Sequence, residues 1–79
     1  MNVLIYGKPG CPSCSKSVQF CNQNNISYSY HTVGVDITKE QLLEKVGKPV
    51  RSVPQIFINE GDGFFEHVGG YEDFVEKMK

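Results

Sequence analysis

Val3-Leu4-Ile5-Tyr6 is an unbroken β-branched and aromatic run that stops at Gly7 and Pro9-Gly10, the pattern of a short buried strand closing in a turn. From Pro12 to about Asn25 the spacing changes. Cys14, Val18 and Cys21 recur at helical intervals, with Phe20 beside them and the polar Asn22 to Asn25 as a stop, which predicts a first helix. Ile26, Tyr28 and Tyr30 then alternate with Ser27, Ser29 and His31, the period of a half-buried strand expected beside the first. Thr38 and Gln41 have capping-box spacing ahead of the apolar Leu42, Leu43 and Val46, so a second helix is expected to end near Gly47. Pro54 to Ile58 reads as a strand opened by proline, and Phe64 to Val68 as a second, joined to it through the turn-rich Asn59 to Gly63 as an antiparallel hairpin. Gly69-Gly70 breaks that strand, and Phe74, Val75 and Met78 mark one face of a last helix from Tyr71 to Met78.

Two strands joined through a helix, followed by a second helix, a hairpin and a last helix, predict a mixed four-stranded sheet with helices packed on it, as in a thioredoxin-like α/β fold. At 79 residues the chain is expected to form a single domain spanning residues 1–79. With 39% hydrophobic and 22% charged residues, disordered and fibrous classes are excluded. The net charge of −1, with lysines and arginine scattered among the acids, gives no basic stripe for nucleic acid. The opening apolar run is too short for a signal-peptide core or a membrane span, so a cytoplasmic protein with no membrane contact is expected.

Three cysteines are too few and too odd in number for the disulfide framework of a small secreted scaffold. The close pair Cys11 and Cys14 therefore points to redox or metal chemistry. A free thiol, with a pKa of roughly 8.5, is mostly protonated at neutral pH and needs help to ionise. With Cys11 at the N-cap and Pro12 at the first helical position, the N–H groups of Ser13 and Cys14 would face the Cys11 sulfur. The helix dipole and Lys8 would add positive potential. One turn further on, Cys14 can attack a mixed disulfide formed on Cys11. Zinc is the competing reading, but it needs four ligands as a rule, and Cys21, His31 and His67 supply no second close pair. Cys21 itself is expected to be a small buried hydrophobe, with a redox-sensitive accessory thiol as the alternative.

Tyr6-Gly7-Lys8-Pro9-Gly10-Cys11-Pro12-Ser13-Cys14, Gly47 to Phe57 and Gly69-Gly70-Tyr71-Glu72-Asp73-Phe74 together resemble the active-site loop, the proline loop and the glutathione-binding turn of the dithiol glutaredoxin family. The resemblance covers nearly the whole chain. It implies a cis Val53-Pro54 bond, where sequence alone favours trans. The Val53 backbone would then pair with an extended peptide such as glutathione. It also implies that the turn at Gly70, with the free N–H groups near Glu72 and Asp73, holds the γ-glutamyl carboxylate, and that Asp73 takes the ammonium. Lys8 and Arg51 would meet the glycine carboxylate. Without the family match, Glu72 and Asp73 read as ordinary first-turn acids, and Lys8 and Arg51 as solvated surface charges.

Three departures stand out: Ser13 replaces an aromatic residue common at that place, the stretch Asn59 to Val68 looks longer than the family's hairpin, and Tyr71 has no assigned chemistry. The extra hairpin length reads as an inert insertion. The function the resemblance implies is reduction of protein disulfides and glutathione mixed disulfides, recharged by glutathione, with ribonucleotide reductase as a family client. Two other functions remain open: a redoxin reduced by thioredoxin reductase, and an iron–sulfur carrier in which Cys11 and glutathione bridge two chains. The first reading expects a monomer and no metal.

Overall fold

The computed structural model describes residues 1–50 and 52–79, and its elements follow the predicted order: β1 (Asn2–Gly7), α1 (Pro12–Gln23), β2 (Ser27–Thr32), α2 (Lys39–Val46), β3 (Gln55–Asn59), β4 (Glu66–Gly69) and α3 (Tyr71–Met78). The four strands form one sheet in the order β2-β1-β3-β4. β1 pairs parallel to β2 and antiparallel to β3, and β3 pairs antiparallel to β4. The chain thus has the thioredoxin-like α/β fold.

The unbroken apolar runs of β1 and β3 are explained by their central place, because both faces of a covered inner strand are buried. On one face Val3, Ile5, Ile56 and Ile58 join Cys21 of α1 and Phe74 of α3 in the larger core, with the Phe20 and Phe74 rings edge-to-face at 5.3 Å. On the other face Tyr6 and Phe57 pack with Leu42 of α2 and Ile37 ahead of it. Cys21 is fully buried in the larger core, and desolvation pushes its thiol pKa up, which disfavours the thiolate. It is a packing residue, as expected.

The α2 capping box forms in both directions: Thr38 Oγ1 accepts from the Gln41 N–H at 3.0 Å, and Gln41 Oε1 accepts from the Thr38 N–H at 2.9 Å. α1 stops at Gln23, short of the predicted Asn25, whose φ of 54° is left-handed. The larger difference is in the hairpin. Phe64 and Phe65, predicted to open the last strand, lie outside it and are 78% and 42% exposed. Polar side chains hold the chain in turns instead: Asn59 Oδ1 accepts from the Gly61 N–H at 2.7 Å and Asp62 Oδ1 from the Phe64 N–H at 3.0 Å. Gly69, expected to end the strand, is its last residue and pairs with Ile56, and a register shift between Ile56 and Phe57 marks a bulge. Among the described residues no helix is long and apolar enough to cross a membrane.

Candidate redox active site

β1 ends at Gly7 and the chain turns through Lys8-Pro9-Gly10 into α1, so the cysteine pair stands at the end of an inner strand and the start of a helix. Cys11 is the N-cap, with extended backbone at φ −96° and ψ 109°, and Pro12 follows at the start of the helix. The Cys14 N–H donates to Cys11 Sγ at 3.2 Å. Of the two donors expected from the sequence, this is the one found bonded to the sulfur among the described residues. Cys11 and Cys14 are joined as a disulfide with their Cα atoms 5.3 Å apart. The two sulfurs are not equivalent. Cys11 is partly exposed, whereas Cys14 is 1% exposed beneath it, so a substrate arriving from solvent reaches only Cys11.

Gly7 makes this approach possible. A Cβ built on it would lie 2.7 Å from Cys14 Sγ and would also strike the Tyr30 hydroxyl. Gly7→Ala is therefore expected to push α1 off the end of β1 and destabilise the protein by about 1–3 kcal/mol, the usual range for overpacking a dense interior. It should also slow closure of the Cys11–Cys14 disulfide. Urea denaturation of oxidised and reduced protein checks the first and a reoxidation time course the second, and an unchanged midpoint would contradict the close approach.

Opposite the cysteines, the Val53-Pro54 bond is cis, as the resemblance implies, and the Val53 carbonyl oxygen lies 3.7 Å from Cys11 Sγ. Val53, Pro54, Gly70, Glu72 and Asp73 are brought together around an open groove of about 270 Å³, with Ser13 on its near wall. Tyr71, which had no assigned role, also lines it. Gly70 caps α3 without a side chain, so Asp73 reaches back and its Oδ2 accepts from the Gly70 N–H at 3.4 Å. Gly69 gives that carboxylate room: its φ is +125°, and a Cβ there would meet Asp73 Oδ2 at 2.5 Å. With no side-chain cap, the next first-turn N–H groups of α3 remain available to an anion.

Lys8 is placed elsewhere. It lines a hollow of about 240 Å³ with Val50 and Lys39, and this hollow shares Ser52 and Val53 with the groove. Arg51 lies outside the described residues. Lys39 was missed in the sequence, although its place directly after the Thr38 cap puts it at the start of α2. The alternative zinc ligands are kept apart: Cys21 belongs to the larger core, whereas His31 stacks on Tyr6 and His67 leans on Phe57 at the other face of the sheet. Gln55 and His67 form a contact the sequence did not signal, with His67 Nε2 and Gln55 Oε1 at 2.7 Å. Burial lowers the His67 pKa and the Lys48 charge adds to this, while Asp73 opposes it.

Comparison with known proteins agrees with this geometry. The glutaredoxin family model matches residues 3–62. Glutaredoxin 1 of Escherichia coli strain K12 is 36% identical over 85 aligned positions, covering 100% of this chain and 94% of the relative. The solution structure of oxidised E. coli glutaredoxin superposes with a TM-score of 0.77 at 36% identity, covering 100% of this chain and 94% of that one. A buckwheat glutaredoxin–glutathione complex gives a TM-score of 0.65 at 26% identity, over 96% of this chain and 66% of its own.

Proposed function

The chain belongs to the glutaredoxin family and is a thiol–disulfide oxidoreductase with Cys11 and Cys14 as its redox pair, and from that premise we propose that it draws its electrons from glutathione and reduces both protein disulfides and glutathione mixed disulfides. The observation that carries the proposal is one groove that brings Val53 and the uncapped start of α3 together, with the Cys11 sulfur 3.7 Å from the Val53 carbonyl oxygen. Glutathione has a thiol, a peptide backbone and an α-amino acid end, and the Cys11 sulfur, Val53 and the start of α3 answer these in that order. The Val53 backbone would pair with the tripeptide as an added strand. The first-turn N–H groups near Glu72 would hold its γ-glutamyl carboxylate, and Asp73 its ammonium. Lys8 and Lys39, in the hollow that shares Val53, supply cations for the glycine carboxylate, as does Arg51 in the family resemblance. The buckwheat complex supports the ligand by likeness.

The reaction runs by thiolate exchange. The Cys11 thiolate, held by the Cys14 N–H, attacks the glutathione sulfur of a mixed disulfide, forming Cys11–S–S–glutathione and releasing the client as a thiolate. A second glutathione thiolate then attacks the bound glutathione's sulfur, releasing glutathione disulfide and restoring Cys11. With a protein disulfide, Cys11 bonds one client sulfur, Cys14 attacks Cys11 Sγ, and the client leaves with both sulfurs reduced. Two glutathione molecules reopen the Cys11–Cys14 bond and leave as glutathione disulfide. Ribonucleotide reductase is the client the resemblance suggests, and an odd cysteine count with one close redox pair suits a cytoplasmic setting.

Incubating the oxidised protein with glutathione tests the proposal. Two thiols per chain should appear as one glutathione disulfide forms for each disulfide opened. A pair that stays oxidised under excess glutathione, but opens with thioredoxin reductase, would replace this reading with the other electron donor.

A further inference from the structure

Gln55 is the first residue of β3, directly after Pro54, and its amide bridges two parts of the molecule. Its Nε2 donates to the Ser52 carbonyl at 2.8 Å, and its Oε1 lies 2.7 Å from His67 Nε2 on β4. The arrangement fixes its own polarity. The Ser52 carbonyl can only accept, so the NH₂ end of the amide faces it and the oxygen faces His67. That oxygen also only accepts, so His67 must carry its proton on Nε2. The ring is steadied from the side by Phe57, its partner in the β3–β4 register, at 5.0 Å between centroids. A directed chain therefore runs from His67 through Gln55 to the Ser52 carbonyl, one residue before the Val53 carbonyl that stands 3.7 Å from Cys11 Sγ.

We infer that Gln55 and His67 are positioning residues that set the height of the Ser52-Val53 segment over Cys11, and so determine how tightly an extended thiol peptide docks there. The inference rests on the reading that Val53 receives the peptide part of glutathione. Neither side chain lines the groove. Their effect should therefore fall on docking and leave the sulfur chemistry alone, because the Cys11 thiolate takes its support from the Cys14 N–H.

Gln55→Glu separates the two halves of the chain. A carboxylate still accepts from His67 but turns an acceptor against the Ser52 carbonyl. His67→Phe keeps a ring on Phe57 and removes the donor, and His67→Gln restores an N–H near the place of Nε2. KM and kcat would be measured on a glutathionylated peptide and on a cysteinyl peptide disulfide, with the iodoacetamide reactivity of Cys11 and the thermal midpoint alongside. The expected result is a rise in KM of about 3- to 10-fold in Gln55→Glu and His67→Phe, the scale of one lost hydrogen bond. kcat and Cys11 reactivity should hold, and His67→Gln should recover most of the KM. Unchanged KM in both folded variants overturns the inference. So does a KM that merely tracks the thermal midpoint without recovery in His67→Gln. If the parent protein ignores the glutathionylated peptide, the glutathione reading fails, and a KM rise on the peptide disulfide alone still upholds the positioning role.

Discussion

Cys11→Ser is expected to reduce thiol transfer on every disulfide substrate to the uncatalysed rate, a fall of at least about 10³-fold, while Cys14→Ser divides the substrates into two classes. The asymmetry follows from placement. Cys11 is the sulfur that solvent can reach, and the Cys14 N–H at 3.2 Å is positioned to solvate its thiolate. A serine hydroxyl there stays protonated and cannot form the mixed disulfide on which the later steps depend. Cys14 contributes two separable things, its backbone N–H and its sulfur, and serine removes only the sulfur. The nucleophile therefore survives in Cys14→Ser. Reduction of glutathione mixed disulfides should persist within a few-fold, since the second glutathione attacks from outside. Reduction of protein disulfides should fall by more than about tenfold, because the client stays bonded to Cys11 with no internal thiol to release it. Mass spectrometry of the stalled reaction should find the client on Cys11. Equal losses in both variants, on both substrate classes, would contradict this division of labour.

The sequence revealed those two cysteines and their order of action, but the reason for the inequality is tertiary. Helix N-cap, proline and spacing are local and legible, whereas the burial of Cys14 depends on the missing Cβ of Gly7 and on Tyr30 arriving from β2. The strands and helices were readable where apolar periodicity carried them, as in β1, β3 and the capping box of α2. The pattern failed at Phe64 and Phe65, where aromatic residues with high strand propensity are overruled by the side-chain turns of Asn59 and Asp62. The cis bond at Val53-Pro54 came from resemblance, since one X-Pro pair looks like another in the sequence. The Gln55–His67 contact had no local signal, because it exists only once β3 and β4 pair in their observed register. Lys39 is similar: it joins the hollow of Lys8 only when α2 packs beside the proline loop.

Phe74→Ala should be the most damaging single substitution outside the cysteines. The Phe74 side chain is fully buried, packs edge-to-face on Phe20 of α1 at 5.3 Å, and shares the larger core with Val3, Ile5, Cys21, Ile56 and Ile58. Truncating such a ring typically costs about 3–5 kcal/mol, from lost burial and the cavity left behind. A chain of 79 residues has a total stability of only about 4–12 kcal/mol at the usual value per residue. The variant should therefore unfold at a far lower urea concentration and be partly unfolded near body temperature. The functional consequence comes from where the ring sits. Its own N–H donates to the Gly70 carbonyl at 3.0 Å, in the first turn of α3, so the anchor that holds α3 to α1 also holds the candidate carboxylate site against the proline loop. At temperatures where the variant is still folded, KM for a glutathione mixed disulfide should rise, while the local Cys14 N–H to Cys11 Sγ contact keeps the nucleophile reactive. Phe74→Leu, which refills most of the volume, should cost less than about 2 kcal/mol and restore KM. A loss below about 1 kcal/mol in Phe74→Ala would mean that α3 is held by its other contacts and that the Phe20–Phe74 pair does not anchor the site.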